Sequence, residues 1–420
     1  VKGEERRTAK KLALLLLVAL ALRLVAGAWW QARVGPGFRF ADSESYWALG
    51  RAIATGEPYR FGQADSPVFR APGYPLLLAP IFLVDGAEPP IFWARALGAV
   101  LGTLSVAGVW WLARRLFGPA AGWIAGIVAA VYPGAIATSV FVLSEAPFCP
   151  LMLANLALWI LAWQAGALRR AVWLAVAAGA TAGATTLVRP SWLLFLPFAL
   201  MVSMVLGGRR RHLLLGLVMA VGMVLVMTPW WIRNARVVGC FVPTTLEVGV
   251  SLYDGLNPRA TGASDMAFVG RFVDEEQRRP GISDEPLAVR VDRRMRTEAL
   301  TWARANPGQV ARLAGIKFLR MWNIWANEES LSSWPLRLVV MLTYVPVLLL
   351  GILCVAGTIR RGWPYWLCWL PAVYFTLLHV VFVSSIRYRE PAMLGLIVLA
   401  AGLIAARRRD ESTTEKREAS

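Results

Sequence analysis

Charge is scarce in this chain. Only 17% of its 420 residues are Asp, Glu, Lys or Arg, against about one quarter in soluble domains. That shortage excludes two or three ordinary soluble domains, which the length would otherwise allow. Acids are the scarcer sign, 26 against 44 basic residues, and the net charge is +18. Cysteine is scarce too. Three of the four, Cys149, Cys354 and Cys368, lie in or beside apolar stretches, and with Cys240 they show neither metal-ligand spacing nor a disulfide framework. Tandem repeats and low-complexity linkers are lacking, and no inverted repeat of the transporter kind is visible. What is abundant is apolar: 57% of residues are hydrophobic. Twenty Trp and 17 Phe exclude disorder. The class that remains is an all-α polytopic membrane protein.

A spanning helix needs about 20 mostly apolar residues. Such stretches recur near 12–30, 91–113, 120–138, 141–163, 171–187, 191–207, 212–231, 335–357, 363–383 and 391–406, which predicts a bundle of about ten transmembrane helices. A further run, 74–84, is short enough to be re-entrant or interfacial. The basic clusters test this arrangement. Lys2, Arg6, Arg7, Lys10 and Lys11 precede the first span. Arg114–Arg115, Arg169–Arg170, Arg209–Arg210–Arg211, Arg360–Arg361 and Arg407–Arg408–Arg409 with Lys416 and Arg417 follow. Ten spans starting inside put every cluster on the cytoplasmic side, as the positive-inside rule asks. Both termini are then cytoplasmic. The first segment does not read as a cleavable signal peptide, because its long apolar run contains Arg23 and lacks a small-residue cleavage site. On this topology +18 is not a nucleic-acid footprint. Residues 1–406 form one integral-membrane domain, with a charged tail at 407–420.

Two outward loops are long, 31–90 and 232–334, and long polar loops beside a helical bundle suggest an enzyme at the outer membrane surface. In loop one, Tyr46, Leu49 and Ile53 recur at helical spacing and Gly56 marks a stop. Asp42 and Glu44 open this amphipathic helix. The simpler alternative is that Asp42 or Ser43 is only an N-cap. Further on, Phe69-Arg70-Ala71-Pro72-Gly73-Tyr74-Pro75 makes a rigid turn at headgroup depth. Arg70 there suits a lipid phosphate, whose oxygens a guanidinium binds in pairs; snorkelling to ordinary headgroups is the alternative. Other charges stand at outer ends of spans: Glu145, Arg189 before Pro190, Arg233 after Trp230-Trp231-Ile232, and Arg387-Tyr388-Arg389-Glu390. A charge beside a span is by default a functional hypothesis. Loop two predicts an amphipathic helix over 285–305. A second, basic helix starts at Asn306-Pro307 with Gln309 at capping-box spacing. It carries Lys317 and Arg320, ends at Trp322 and Trp325, and is expected to lie on the membrane surface.

Taken together these segments resemble the C-type (GT-C) membrane glycosyltransferases. The likeness is to the family of dolichyl-phosphate-mannose–protein mannosyltransferases and lipid A aminoarabinose transferases, in its bacterial branch. It runs from Ala41 to about Ala406. The residues that carry it are the Asp42/Glu44 acids followed by Tyr46, the Arg70 turn, Ser144-Glu145, Arg189-Pro190 and Pro229 to Asn234. The stretch from Gly239 to Asn257, Asn306-Pro307, and Arg387 to Pro391 complete it.

The resemblance implies transfer of one sugar from a polyprenyl-phosphate donor to an acceptor hydroxyl at the outer face of the inner (plasma) membrane. It implies Asp42 as general base with Glu44 second. Arg70, Arg233, Arg387, Arg389 and Tyr46 hold the donor phosphate, and Glu145 and Arg189 orient the acceptor or an arginine. Relatives often carry Asp-Glu in loop one, whereas here Ser43 separates the acids, which leaves the base open. Some relatives bind a divalent metal. His212 lies with a basic cluster and His379 inside a span, so no metal is expected to be obligatory, and no other cofactor is implied. Expected partners are the lipid-linked donor, membrane lipids and a lipid, glycan or protein acceptor, with no nucleic acid. A transporter or flippase of lipid-linked sugars is the alternative; it calls for charges at mid-bilayer, where Arg23 stands alone. A structural envelope subunit gives no reason for the Asp42, Arg70, Glu145 and Arg387 set.

Overall fold

The computed structural model describes residues 2–86, 88–206, 209–279, 285–325 and 333–418. Parts of the expected second loop, at 280–284 and 326–332, and the last two residues of the tail lie outside the described residues. The helices in chain order are α1 (Lys2–Val34), α2 (Ala41–Thr55), α3 (Gly73–Asp85), α4 (Phe92–Phe117), α5 (Pro119–Val131), α6 (Pro133–Val140), α7 (Glu145–Gln164), α8 (Leu168–Val188) and α9 (Phe195–Leu206). They continue with α10 (Arg209–Val238), α11 (Val248–Gly255), α12 (Val269–Arg278), α13 (Leu287–Ala305), α14 (Pro307–Met321), α15 (Trp334–Arg361), α16 (Leu370–Val381) and α17 (Glu390–Glu418). Among the described residues the only β pairing is an isolated bridge between Phe61 and Ser66.

Among the described residues seven helices are long and apolar enough to cross a membrane, namely Gly3–Val34, Phe92–Phe117, Glu145–Gln164, Leu168–Val188, Arg210–Val238, Trp334–Arg361 and Ile386–Arg408. The bent pair α5–α6 makes up to eight. The expected stretches at 191–207 and 363–383 hold shorter apolar helices instead, because 3-10 turns at Pro190–Trp192 and Tyr365–Cys368 take up part of each run. The protein is a multi-pass membrane protein.

The basic clusters converge on one end of the bundle. Arg115 Nε donates to Gln164 Oε1 at 2.8 Å, and Arg211 to the Ala165 carbonyl at 2.7 Å. His212 stacks on Trp163, which also meets Trp363, and Arg361 lies over the rings of Phe117 and Tyr365. The acids and arginines singled out in loop one and at the other span ends gather at the opposite end.

The bent span owes its break to Pro133, which lacks the N–H that the Ala129 carbonyl would need. Arg23 fills that role. Wholly buried in α1, it donates to the carbonyls of Ala129, Ala130 and Ala19, each at 3.1 Å. Arg95, buried in α4, does the same for the end of α6, donating to Val140 O at 2.6 Å and to Gln31 Oε1 at 2.8 Å. Close approach of α4 and α6 needs glycine: a Cβ on Gly98 or Gly102 would lie 2.0 Å from a Ser139 oxygen. The two arginines thus hold the segment that leads into Glu145. Replacing Arg23 by methionine leaves two buried carbonyls without donors. Thermal unfolding in detergent should then show a loss of about 1–3 kcal/mol; an unchanged midpoint would mean other donors reach those carbonyls.

Loop one folds as α2 packed on α3, with Tyr46, Tyr74 and Leu78 buried between them and Gly56 closing α2 in the left-handed region at φ 75°. The N-cap of α2 is Phe40, and no side chain caps it. The simple capping alternative for Asp42 and Ser43 is therefore corrected: Ser43 Oγ donates to Phe141 O at 2.9 Å, and Asp42 turns to arginines. In loop two, α13 and α14 form as expected and Asn306 and Pro307 take the cap and first positions. The Asn306 amide donates backward to Trp302 O instead of capping α14, so no capping box closes. Lys317 is also corrected. It is fully buried, its Nζ donating to Gly255 O and Val381 O at 2.9 and 2.7 Å, which ties α14 to α11 and α16 rather than to headgroups.

Candidate active site

At the end of the bundle away from the basic clusters, five side chains from five parts of the chain form a row of alternating charge. Arg70 donates to Asp42 Oδ1 at 2.7 Å, and Arg387 to Asp42 Oδ2 at 2.9 Å. Arg387 Nε lies 3.1 Å from Glu145 Oε1, which is also 2.7 Å from Arg189. Three cations and two carboxylates leave the row with one positive charge. Glu145 and Arg189 are its buried end, with side chains 1% and 10% exposed. Asp42, Arg70 and Arg387 are its open end, at 33%, 21% and 24%.

Local sequence explains why each member is held. The Pro72-Gly73 turn delivers Arg70, whose Nε donates to Ser45 Oγ at 3.0 Å while that hydroxyl donates to Asp42 O at 2.7 Å. The Arg70 guanidinium covers the rings of Phe69 and Tyr46 at 4.8 and 5.3 Å, and its carbonyl accepts from the Tyr59 hydroxyl. Tyr46 is thus a floor for the cation. Arg189, at the end of α8, donates to Ser191 Oγ and Ser144 Oγ at 3.2 and 3.3 Å. The Tyr388 ring lies under both Arg189 and Arg387 and stacks on His379 at 4.1 Å.

Charge sets the ionisation of the open end. Desolvation works to raise the Asp42 carboxyl, but Arg70 and then Arg387 reverse it and hold it far below the usual carboxylate range. One further acid stands nearby, Glu247, just before α11. Burial pushes it up to about 7, against the pull of Arg70.

Of the residues marked in the sequence, Asp42, Arg70, Tyr46, Glu145, Arg189 and Arg387 come together. Glu44 is exposed, and no described residue hydrogen-bonds or ion-pairs with it. Arg233 donates to Pro67 O at 2.8 Å and stacks on Trp230 and Tyr59, bracing loop one behind Arg70. Arg389 is buried, donates to the carbonyls of Met321 and Asn323, lies over Tyr344, and points away from the row. Sequence reasoning missed Glu247, Ser45 and Tyr388 as members of this site. Tyr388 at least lay inside a marked motif. Glu247 also lay inside a marked stretch, Gly239 to Asn257, with nothing to set it apart there.

Among the described residues no three His, Cys, Asp or Glu side chains group so as to hold a metal. Residues 69–232 match the model of the dolichyl-phosphate-mannose-protein mannosyltransferase family. The matched stretch takes in Arg70, Glu145 and Arg189 and leaves Asp42 and Arg387 outside. No curated protein matches. Among solved structures, the archaeal oligosaccharyltransferase AglB from Archaeoglobus fulgidus, in complex with an inhibitory peptide and a dolichol-phosphate, is similar at 15% identity and a TM-score of 0.59. That match covers 99% of this chain and 52% of the other. The apo form of the Archaeoglobus fulgidus oligosaccharyltransferase is similar at 17% identity and a TM-score of 0.57, over 93% of this chain and 50% of that one. ArnT from Cupriavidus metallidurans, bound to undecaprenyl phosphate, shows 19% identity over 95% of this chain and 78% of its own, but its TM-score of 0.45 is too low to carry weight. The chain spans about half the length of the oligosaccharyltransferases it matches, and at these identities the likeness is one of fold. The family match covers residues 69–232, and the structural likeness, over nearly the whole chain, is one of fold.

Proposed function

We propose that the chain is a glycosyltransferase that moves one sugar from a polyprenyl-phosphate donor to an acceptor hydroxyl at the outer membrane face. The observation that carries this reading is the clasp of Arg70 and Arg387 on the two oxygens of Asp42. Two guanidiniums converging on a pair of anionic oxygens are also built to take a phosphate. When the donor's phosphate arrives, it competes for both. Asp42 then loses the cations that suppress its basicity and can accept the acceptor's proton. Arg70 and Arg387 meanwhile face the charge that grows on the leaving phosphate, where preorganised cations lower the barrier. Glu145, held by Arg189, keeps Arg387 aimed. Arg233 supports the loop that bears Arg70, and Arg389 supports the helix after Arg387.

The basic end of the bundle lies in the cytoplasm on this reading, by the positive-inside rule, with both termini there and the site outside. The membrane is the inner (plasma) membrane, and the acceptor is a lipid, a glycan or a protein hydroxyl. A divalent ion does not suit the donor set: both Asp42 oxygens already receive N–H groups, and Glu145 lies between two guanidiniums.

The test is transfer in reconstituted vesicles from a panel of labelled polyprenyl-phosphate sugars. Consumption of a donor with release of polyprenyl phosphate is expected, and Glu44→Gln should keep that rate within about threefold, as a surface acid away from the row. Lipid-linked sugar that crosses the bilayer unconsumed would overturn the reading in favour of a flippase.

A further inference from the structure

Arg387 stands at the end of a link with no regular structure of its own. α16 ends at Val381, and residues 382–385 run without helix into the 3-10 turn of Ile386–Arg389. Such a link keeps its shape only where its backbone groups find partners. The Val381 carbonyl accepts from Lys317 Nζ at 2.7 Å, and the Val383 carbonyl from His379 Nδ1 at 2.9 Å. The Ser384 N–H donates to Gly262 O at 3.0 Å, and its Oγ to the Lys317 carbonyl at 2.7 Å. Lys317 thus holds the link twice, once by its amine and once by its backbone. The same amine donates to Gly255 O at 2.9 Å, at the end of α11. Here α11 comes up against the link: a Cβ on Gly255 would lie 2.8 Å from Val381 O. Just before α11, the Leu246 N–H donates to the Val68 carbonyl at 3.0 Å, beside the turn that delivers Arg70. One short stretch of loop two is therefore fastened to both segments that carry the clasp. Lys317, wholly buried, is the fastening on the Arg387 side.

We propose that Lys317 is a positioning residue for the transfer: by joining Gly255 to Val381 it sets the place of Arg387, and with it the gap between Arg387 and Arg70 that receives the lipid phosphate. The proposal rests on the glycosyltransferase reading above. The amine of Lys317 is spent on two carbonyls, so its effect on the site passes through the link. Little freedom is left there. Arg387 reaches Asp42 at 2.9 Å and Glu145 at 3.1 Å, on two different nitrogens. A shift of the link by about 1 Å takes one of them out of hydrogen-bond range, and a misplacement of that size costs about 100-fold in rate. Methionine in place of Lys317 is similar in length and fills the same space, but offers no donor to either carbonyl. Gly255→Ala moves the link by a different route. It leaves Lys317 in place and sets a methyl group against the Val381 carbonyl, which is backbone and must give way.

The experiment measures undecaprenyl phosphate affinity and single-turnover transfer for Lys317→Met, for Arg387→Lys and for the two together, in reconstituted vesicles. Lys317→Met alone should lose about 10- to 100-fold in rate. It should bind the lipid about tenfold more weakly, as for one loosened charge-assisted hydrogen bond. In the double variant the losses should not multiply. Its rate should lie within about threefold of Arg387→Lys alone, because a lysine at 387 no longer bridges Asp42 and Glu145 wherever the link holds it. Losses that multiply in full mean that Lys317 supports the fold at large, and they overturn the assignment. A folded Lys317→Met with unaltered rate and affinity overturns it as well. Gly255→Ala decides the matter if the methionine variant does not fold. It should show the same loss and the same failure to multiply with Arg387→Lys, and a normal rate or full multiplication there overturns the assignment. In each of these cases the unaltered protein still transfers sugar and the glycosyltransferase reading stands. Failure of the unaltered protein to bind undecaprenyl phosphate overturns both.

Discussion

Replacing Asp42 by asparagine should cut transfer by about 1000-fold while tightening the hold on polyprenyl phosphate. The two effects part because Asp42 does two things. In the free protein its carboxylate occupies the guanidinium N–H groups of Arg70 and Arg387. An asparagine amide presents one oxygen and no charge, so the arginines are left with more to offer an incoming phosphate. During transfer the same position must take a proton, which an amide cannot do; loss of a general base is worth about 100- to 10,000-fold. Measuring undecaprenyl phosphate affinity and single-turnover rate on one preparation separates the effects. Retention of the full rate would remove Asp42 as base. A weaker hold on the lipid would mean that the carboxylate supports the phosphate site rather than competes for it.

Arg387→Lys should be nearly as damaging, and in a different pattern. Arg387 reaches Asp42 with one nitrogen and Glu145 with another. A lysine is a single point charge on a flexible stem and cannot bridge both. Glu145, 1% exposed, would keep Arg189 but lose its second cation. Losing one of two cationic partners of a buried carboxylate in this way destabilises by about 1–3 kcal/mol. Transfer should fall by roughly 100- to 1000-fold, as for loss of one preorganised charge at a developing anion, with the donor KM rising as well. Thermal unfolding and donor titration check the two parts. A variant with normal stability and a normal KM would show that Asp42 and Glu145 do not depend on their shared arginine.

Much of this molecule is legible in the sequence because hydropathy and charge report the solvent around each segment. The all-α class, the basic clusters at one end of the bundle, the α2 helix with its Gly56 stop and the short run that becomes α3 all follow from local pattern. The Arg70 turn is legible for the same reason, since two prolines and a glycine constrain the chain whatever packs around it. Helix count is less legible. An apolar stretch looks alike whether it forms one helix or a 3-10 turn followed by a short helix, as at Pro190 and Tyr365. Lys317 illustrates the opposite error, a cation assigned to water by its charge and to the interior by two carbonyls that only packing supplies.

The sequence by itself determined which segments are apolar, the end of the bundle that carries the basic clusters, and a candidate set in which Asp42, Arg70, Glu145, Arg189 and Arg387 stood together with Glu44, Arg233 and Arg389. Only the tertiary structure decided which of them touch, that Glu44, Arg233 and Arg389 turn elsewhere, and that Glu247 arrives from the second loop. The physical reason is distance along the chain. Arg387 meets Asp42 across 345 positions, and such a contact depends on how closely helices cross, here on glycines that let α4 and α6 meet and on buried arginines that cap a broken span. No local pattern encodes that approach, and ion pairing follows from it.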